Sequence, residues 1–210
     1  MTPSARQALA ILRDPSQFQW YVIPLFALIV YVYSNEMEAK KFNTVLAGLA
    51  FWGMDWFNEI WNALVLHFTQ FAPVWGAPGK TAFLILAGLN IEICFMFAIA
   101  GIGFAKMLPE DKGLKIAGIP NRLFVAVAGS IFCVVVEYLL NSAGALTWDY
   151  AWWNRGAPWL IFLVGYLQFF LVAFWVFDMP LRRTQIKVVG AIYAFDAACL
   201  VVFAGFLGWI

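Results

Sequence analysis

Residues 52–67 read WGMDWFNEIWNALVLH. They sit in an apolar run over about 44–68, long enough to cross a bilayer, yet the run contains Asp55, Asn58, Glu59 and Asn62. At about 100° per residue these four positions fall within roughly 100° of one another on a helix, so one stripe is polar and the remainder is apolar. The stripe has to face protein or water, because a carboxylate at the centre of a bilayer costs about 2.5–3.5 kcal/mol on insertion scales. Acids in that setting point to function before structure.

The rest of the chain agrees with a membrane setting. Its 210 residues are 64% hydrophobic and 12% charged, with mean hydropathy +0.81. Soluble domains carry about 25% charged residues. The expected fold is therefore an all-α integral membrane protein over 1–210, one bundle of six transmembrane helices preceded by a short amphipathic helix. A net charge of +1 offers nothing to a nucleic acid. Cys94, Cys133 and Cys199 lie in apolar stretches without motif spacing and read as small hydrophobes. The start of the chain lacks the basic opening, short apolar core and small-residue ending of a cleaved signal and is expected to be retained.

Taken in order, residues 4–13 (SARQALAILR) form the amphipathic segment, with Ser4 as its cap and Asp14-Pro15 as its stop. Spans are expected at about 18–34, 44–68, 81–105, 123–143, 159–177 and 186–209. The first holds Pro24, the third Asn90 and Glu92, the fourth Ser130, Glu137 and Asn141, the fifth Gln168 and the sixth Asp196. Ser130, Glu137 and Asn141 fall within about 40° on a helix and make a second polar stripe. Gly190, Ala194 and Ala198 form a small-residue packing edge on the sixth. Residues 146–159 (LTWDYAWWNRGAPW) have the aromatic content of a membrane-interface belt. No inverted repeat stands out between spans.

Six spans put both termini on one side. The connections after spans one, three and five hold Lys40, Lys41, Lys106, Lys112, Lys115, Arg122, Arg182, Arg183 and Lys187, against Arg6, Arg13, Lys80 and Arg155 opposite. The positive-inside rule then places both termini and the Trp-rich loop outside, in an inner or plasma membrane. Glu59, Asn62, Glu137 and Asn141 fall in the outer half, and Asp55, Asn90, Glu92 and Asp196 near the middle.

Asp55, Glu59, Glu92, Glu137 and Asp196 have no Lys or Arg deep in any span to pair with. Five bare carboxylates would cost about 12–18 kcal/mol to insert, as much as the whole stability of a domain. They must be protonated, bind a cation or face water. The chemistry this favours is that of a membrane-embedded enzyme working by acid–base catalysis on a lipid or isoprenoid, in a cyclisation, isomerisation or hydration. Glu59 and Glu137 would serve as acid and base, with Asp55 and Glu92 supporting them. Asn58, Asn62, Asn90 and Asn141 would orient the substrate, and Trp52, Trp56, Trp61, Tyr138, Trp148 and Trp153 would wall the cavity and face a developing cation. Membrane lipids and a hydrophobic small molecule are the partners expected, with a homo-oligomer open. No cofactor or metal is required, the alternative being a divalent cation such as Mg²⁺ or Ca²⁺ on the carboxylate and amide oxygens. A proton- or cation-coupled transporter or channel and a non-catalytic assembly subunit are the competing classes. With His67 as the sole histidine, His-box di-iron enzymes, His-zinc proteases and His-based triads lack their ligands or bases.

Overall fold

The computed structural model describes residues 1–210. Seven helices follow one another: α1 Pro3–Ile11, α2 Val22–Glu38, α3 Phe42–Thr69, α4 Ile91–Lys106, α5 Asn121–Ser142, α6 Pro158–Phe177 and α7 Arg182–Phe206. Two small antiparallel hairpins complete the fold, β1 Leu84–Leu86 with β2 Leu89–Asn90, and β3 Lys115–Ile116 with β4 Ile119–Pro120. Helices α5, α6 and α7 are each long and apolar enough to cross a membrane.

α3, 28 residues long, is the central element and packs against α2, α4, α6 and α7. Small residues on its buried face, among them Ala47, Gly48 and Ala50, let neighbours approach closely. At the α4 crossing a Cβ on Gly101 would lie 2.8 Å from the Gly48 carbonyl oxygen and 2.9 Å from the Phe51 Cβ. Backbone cannot yield as a flexible side chain can, so Gly101→Val is expected to lose about 1–3 kcal/mol by overpacking, measured as a lower thermal midpoint in detergent. Below that crossing the core is aromatic: Phe51 packs edge-on against Phe170 and Phe169 with centroids at 5.0 and 5.6 Å.

The bundle has two unlike ends. At one, α1 and the segments 70–90 and 143–157 lock together. The Thr2 N–H donates to the Phe71 carbonyl, Gly76 and Thr147 exchange backbone hydrogen bonds at 3.0 and 2.8 Å, and the Arg13 N–H donates to Leu84. Trp209 stacks on His67 there at 4.7 Å. At the other end short connections are tied by charge. Arg122 grips Asp178 through two nitrogens at 3.1 and 3.0 Å, Lys112 joins the same carboxylate, and Lys106 pairs with Glu36. Between the ends the surface is apolar, with Phe206 82% exposed and Ile131, Leu139 and Trp175 also turned outward. That exterior suits hydrocarbon and not water.

The hairpins reveal a relation between α4 and α5. β1–β2 leads into α4 at the α1 end, and β3–β4 leads into α5 at the opposite end. Both have Ala-Gly at the tip, in LAGL (86–89) and IAGI (116–119), and the helices share AIAGIGF (98–104) and AVAGSIF (126–132). The two hairpin–helix units therefore enter the bundle from opposite ends.

Other expectations need correction. The apolar run over 81–105 predicts the third span, but the chain is helical only from Ile91, since residues 84–90 are tied up in the hairpin. The helix of the expected first span, α2, runs over 22–38, not 18–34, which puts Pro24 in its first turn, where its missing N–H has no partner to lose. The cap of α1 is Thr2, whose hydroxyl accepts the Ala5 N–H, while Ser4 donates to Asp149 at 2.5 Å. The turn between α1 and α2 is closed by Asp14, whose carboxylate accepts the Ser16 hydroxyl and N–H and the Gln17 amide, holding its carboxyl below the usual range. Gly190, Ala194 and Ala198 are exposed on α7, and a Cβ on Gly190 would meet nothing within 4 Å.

Candidate active site

The polar stripe of α3 does turn inward. Asp55, Asn58, Glu59 and Asn62 are all buried, with Asp55 and Glu59 only 2% and 3% exposed. Asp55, Asn58 and Glu59 open onto a cavity of about 320 Å³ that Glu137 of α5, 4% exposed, reaches from another wall. Glu59 and Glu137 are close enough for their charges to interact. The remaining lining is mostly apolar and aromatic, including Phe97, Trp153, Tyr166 and Phe169, with no Lys, Arg or His.

Each carboxyl is held by aromatic donors. The Trp75 indole N–H donates to Glu59 Oε1 at 2.7 Å. Glu137 accepts the Trp148 N–H at 2.8 Å on one oxygen and the Tyr166 hydroxyl at 2.6 Å on the other. These bonds fix both carboxyls against the wall without an ion pair. Asp55 Oδ2 and the Trp153 N–H remain without partners. Asp196 of α7 is buried behind Asp55 with both oxygens unpartnered, close enough for the two charges to interact, but it does not line the cavity.

Local backbone explains how Tyr166 arrives. Residues Ile161–Leu167 form a π-helical stretch inside α6, whose wider turn leaves carbonyls short of their usual donors. Asn58 supplies one, donating to the Val164 carbonyl at 3.0 Å while accepting the Gln168 amide at 2.8 Å. Asn58 thus braces α6 as well as lining the cavity.

Asn62 is fully buried behind the cavity wall and grips the loop that carries Trp75. Its Oδ1 accepts the Val74 and Trp75 N–H groups at 2.6 and 3.2 Å, and its Nδ2 donates to the Trp75 carbonyl at 2.7 Å. The β1–β2 tip seals the same corner. A Cβ on Gly88 would lie 2.3 Å from Asn62 Nδ2, 2.7 Å from Glu59 Oε2 and 2.7 Å from the Trp75 carbonyl oxygen. Gly88→Ala is expected to lose about 1–3 kcal/mol and displace Glu59, read as a lower thermal midpoint. In the sister hairpin Gly118 has open space around it but a φ of +80°, so Gly118→Ala pays only the smaller left-handed penalty of about 1 kcal/mol.

Several expected site residues are elsewhere. Asn90 caps α4 by accepting the Ile93 N–H at 2.8 Å. Glu92 lies in the first turn of α4, near one end of the bundle and not mid-span, and accepts the Tyr21 hydroxyl, the Thr81 hydroxyl and the Ala82 N–H. It is a tether for the preceding loop, helped by the positive helix end. Asn141 donates to Leu146 and faces Arg155, outside the cavity. Tyr138 donates to the Arg155 carbonyl, Trp52 donates to Cys94, Trp61 packs on Trp75, and Trp56 packs outside the cavity. Trp148 and Trp153 do meet the site. Reading the sequence missed Trp75, Gly88 and Tyr166. Trp75 lies between the expected second and third spans, and Gly88 lies within the expected third. Tyr166 carried a usable signal, a polar tip two residues from Gln168 in an apolar helix. No three of the His, Cys, Asp and Glu side chains converge to hold a metal ion.

A family model described as "Uncharacterized membrane protein family" matches residues 2–205. The chain is similar to an "Uncharacterized protein" of Archaeoglobus fulgidus, 61% identical over 209 residues that cover 100% of this chain and 99% of the relative. A second "Uncharacterized protein" from that organism is 58% identical over 53 residues, 25% of this chain and 95% of the relative. No solved structure matches.

Proposed function

The chain belongs to this membrane protein family, and on that premise we propose that it crosses the bilayer six times, with both termini outside, as an enzyme of lipid or isoprenoid acid–base chemistry. The alternation of loop-rich and basic ends along the six long helices supports the topology; α2, with 17 residues, sits at the lower limit of about 17 for a crossing, and α4, with 16, falls just short of it. One observation carries the enzymatic reading. Two buried carboxyls, each positioned by aromatic N–H or O–H donors, converge on a single cavity that is otherwise apolar. In such a site one carboxyl gives a proton to an alkene or epoxide. The aromatic faces steady the cation that develops, and the other carboxyl takes a proton from the adjoining carbon. The net transfer of one proton between the carboxyls is reset before the next turnover. Isomerisation or cyclisation follows from this sequence alone, and capture of water in place of proton loss gives hydration.

The test is to reconstitute the purified protein in vesicles containing the apolar lipid extract of its native membrane and to follow that extract by mass spectrometry. A product isomeric with a consumed lipid, or one water heavier, is expected, and none in protein-free vesicles. An unchanged extract would count against an enzyme.

A transporter is the second reading, favoured by the two hairpin–helix units that enter from opposite ends. It predicts proton or cation flux across the same vesicles under an imposed gradient, and an electrically silent protein that converts lipid would exclude it.

A further inference from the structure

We propose, resting on the acid–base reading, that the cavity takes only the terminal segment of a long apolar lipid, entering sideways from the bilayer between α4 and α5. The end that reaches Glu59 and Glu137 bears no anionic group.

The route follows from packing. α4 is held by α3, α2 and α6 but hardly touches α5, although the two are consecutive helices. The gap between them is the mouth of the cavity. Met96 and Ala100 stand on the α4 side, Phe132 and Val136 on the α5 side, and Met96 and Phe132 are 41% and 59% exposed. An edge-to-face contact of Phe104 with Phe132, centroids 6.3 Å apart, closes the mouth toward the basic end. Every residue of this rim is apolar. It opens at the height of the apolar exterior and not at either polar end, so a ligand arrives from the hydrocarbon.

The size of the ligand's inserted part follows from volume. A cavity of 320 Å³ is about twice the roughly 150 Å³ that encloses a benzene, so it holds about a dozen non-hydrogen atoms. A membrane lipid is several times larger, so most of it stays in the bilayer while one end is enclosed.

The chemistry of that end follows from charge. The lining has the carboxyls Asp55, Glu59 and Glu137 and no basic side chain. A phosphate or carboxylate headgroup would meet like charge with nothing to neutralise it. A hydrocarbon end, or one carrying a neutral oxygen, meets suitable groups instead. The Trp153 N–H, on a side chain 1% exposed, makes no hydrogen bond of its own but lies beside the Glu137 carboxyl, where a neutral oxygen can accept from it, and the unpartnered Asp55 Oδ2 accepts from a hydroxyl.

Two photoprobes test this on the full-length protein in vesicles: a long-chain alcohol with a diazirine on its terminal carbon, and the same alcohol with the diazirine beside the hydroxyl. Cross-links are mapped by peptide mass spectrometry. The terminal diazirine is expected to label Trp153, Tyr166 and Glu137. Excess squalene should suppress that labelling, and farnesyl diphosphate should not. Ala100→Trp, which fills the mouth, should reduce it about tenfold at equal folded protein. The proposal is overturned if farnesyl diphosphate competes as well as squalene, or if neither probe labels these residues. Terminal-end labelling in a protein that leaves the native lipid extract unchanged would sink the enzymatic reading and leave this one. Conversion of the extract while farnesyl diphosphate competes as well as squalene would do the reverse.

Discussion

Glu59→Gln and Glu137→Gln are each expected to lower turnover of the native lipid by about 10²–10⁴-fold, the range of a positioned general acid or base. The two should differ in what else they disturb. Glu59 has one close donor, the Trp75 N–H at 2.7 Å, and a long contact from Asn62 at 3.4 Å. A glutamine keeps an acceptor for Trp75 and turns its amide toward the weaker contact, so stability should change by less than about 1 kcal/mol. Glu137 accepts a donor on each oxygen, from Trp148 and Tyr166. A glutamine there satisfies one and opposes the other, at about 1–3 kcal/mol. Product formation and thermal midpoints measured on the same preparations separate these effects. Wild-type turnover in both variants would remove the two carboxyls from the chemistry.

Asn62→Ala is expected to destabilise the protein by about 3–5 kcal/mol, the largest stability effect anticipated for a single side chain here. Its amide satisfies the Val74 N–H, the Trp75 N–H and the Trp75 carbonyl, all inside the bundle. Truncation strands three buried backbone groups at once, each worth about 1–3 kcal/mol when left unpaired. The loop would then release Trp75 from Glu59, so activity should fall with stability. Asn141→Ala is the matched comparison. Asn141 is only half-buried, and its bond to Leu146 is one near the surface, so its loss should stay near 1 kcal/mol. Equal thermal midpoints for the two alanine variants would contradict the clasp assigned to Asn62.

These two asparagines show where the sequence was legible. Both occupy polar stripes on helices, and periodicity alone treats them alike. On α3 the stripe was read correctly as inward-facing, because four polar residues at helical spacing in an apolar run leave one orientation that avoids lipid. The same reasoning over-reached on α4. Asn90 and Glu92 look intramembrane only if the apolar run over 81–105 is one helix, and the hairpin at 84–90 shows that it is not. Apolar residues in a loop packed against α1 and α3 give the same hydropathy as residues in a span.

What the sequence by itself determined is the membrane setting, the mainly helical fold, the concentration of basic residues at one end, and the inward stripe that carries Asp55 and Glu59. All of these follow from composition and from periodicity along a single helix, which are local properties. Only the tertiary structure decided which groups meet. It brought Trp75 from a loop onto Glu59, and Tyr166 from a π-helical turn onto Glu137. It set Gly88 against Asn62 and left α4 and α5 apart to form a mouth. The physical reason is that hydrogen bonds and close approaches between segments depend on three-dimensional placement, which no spacing along one helix records.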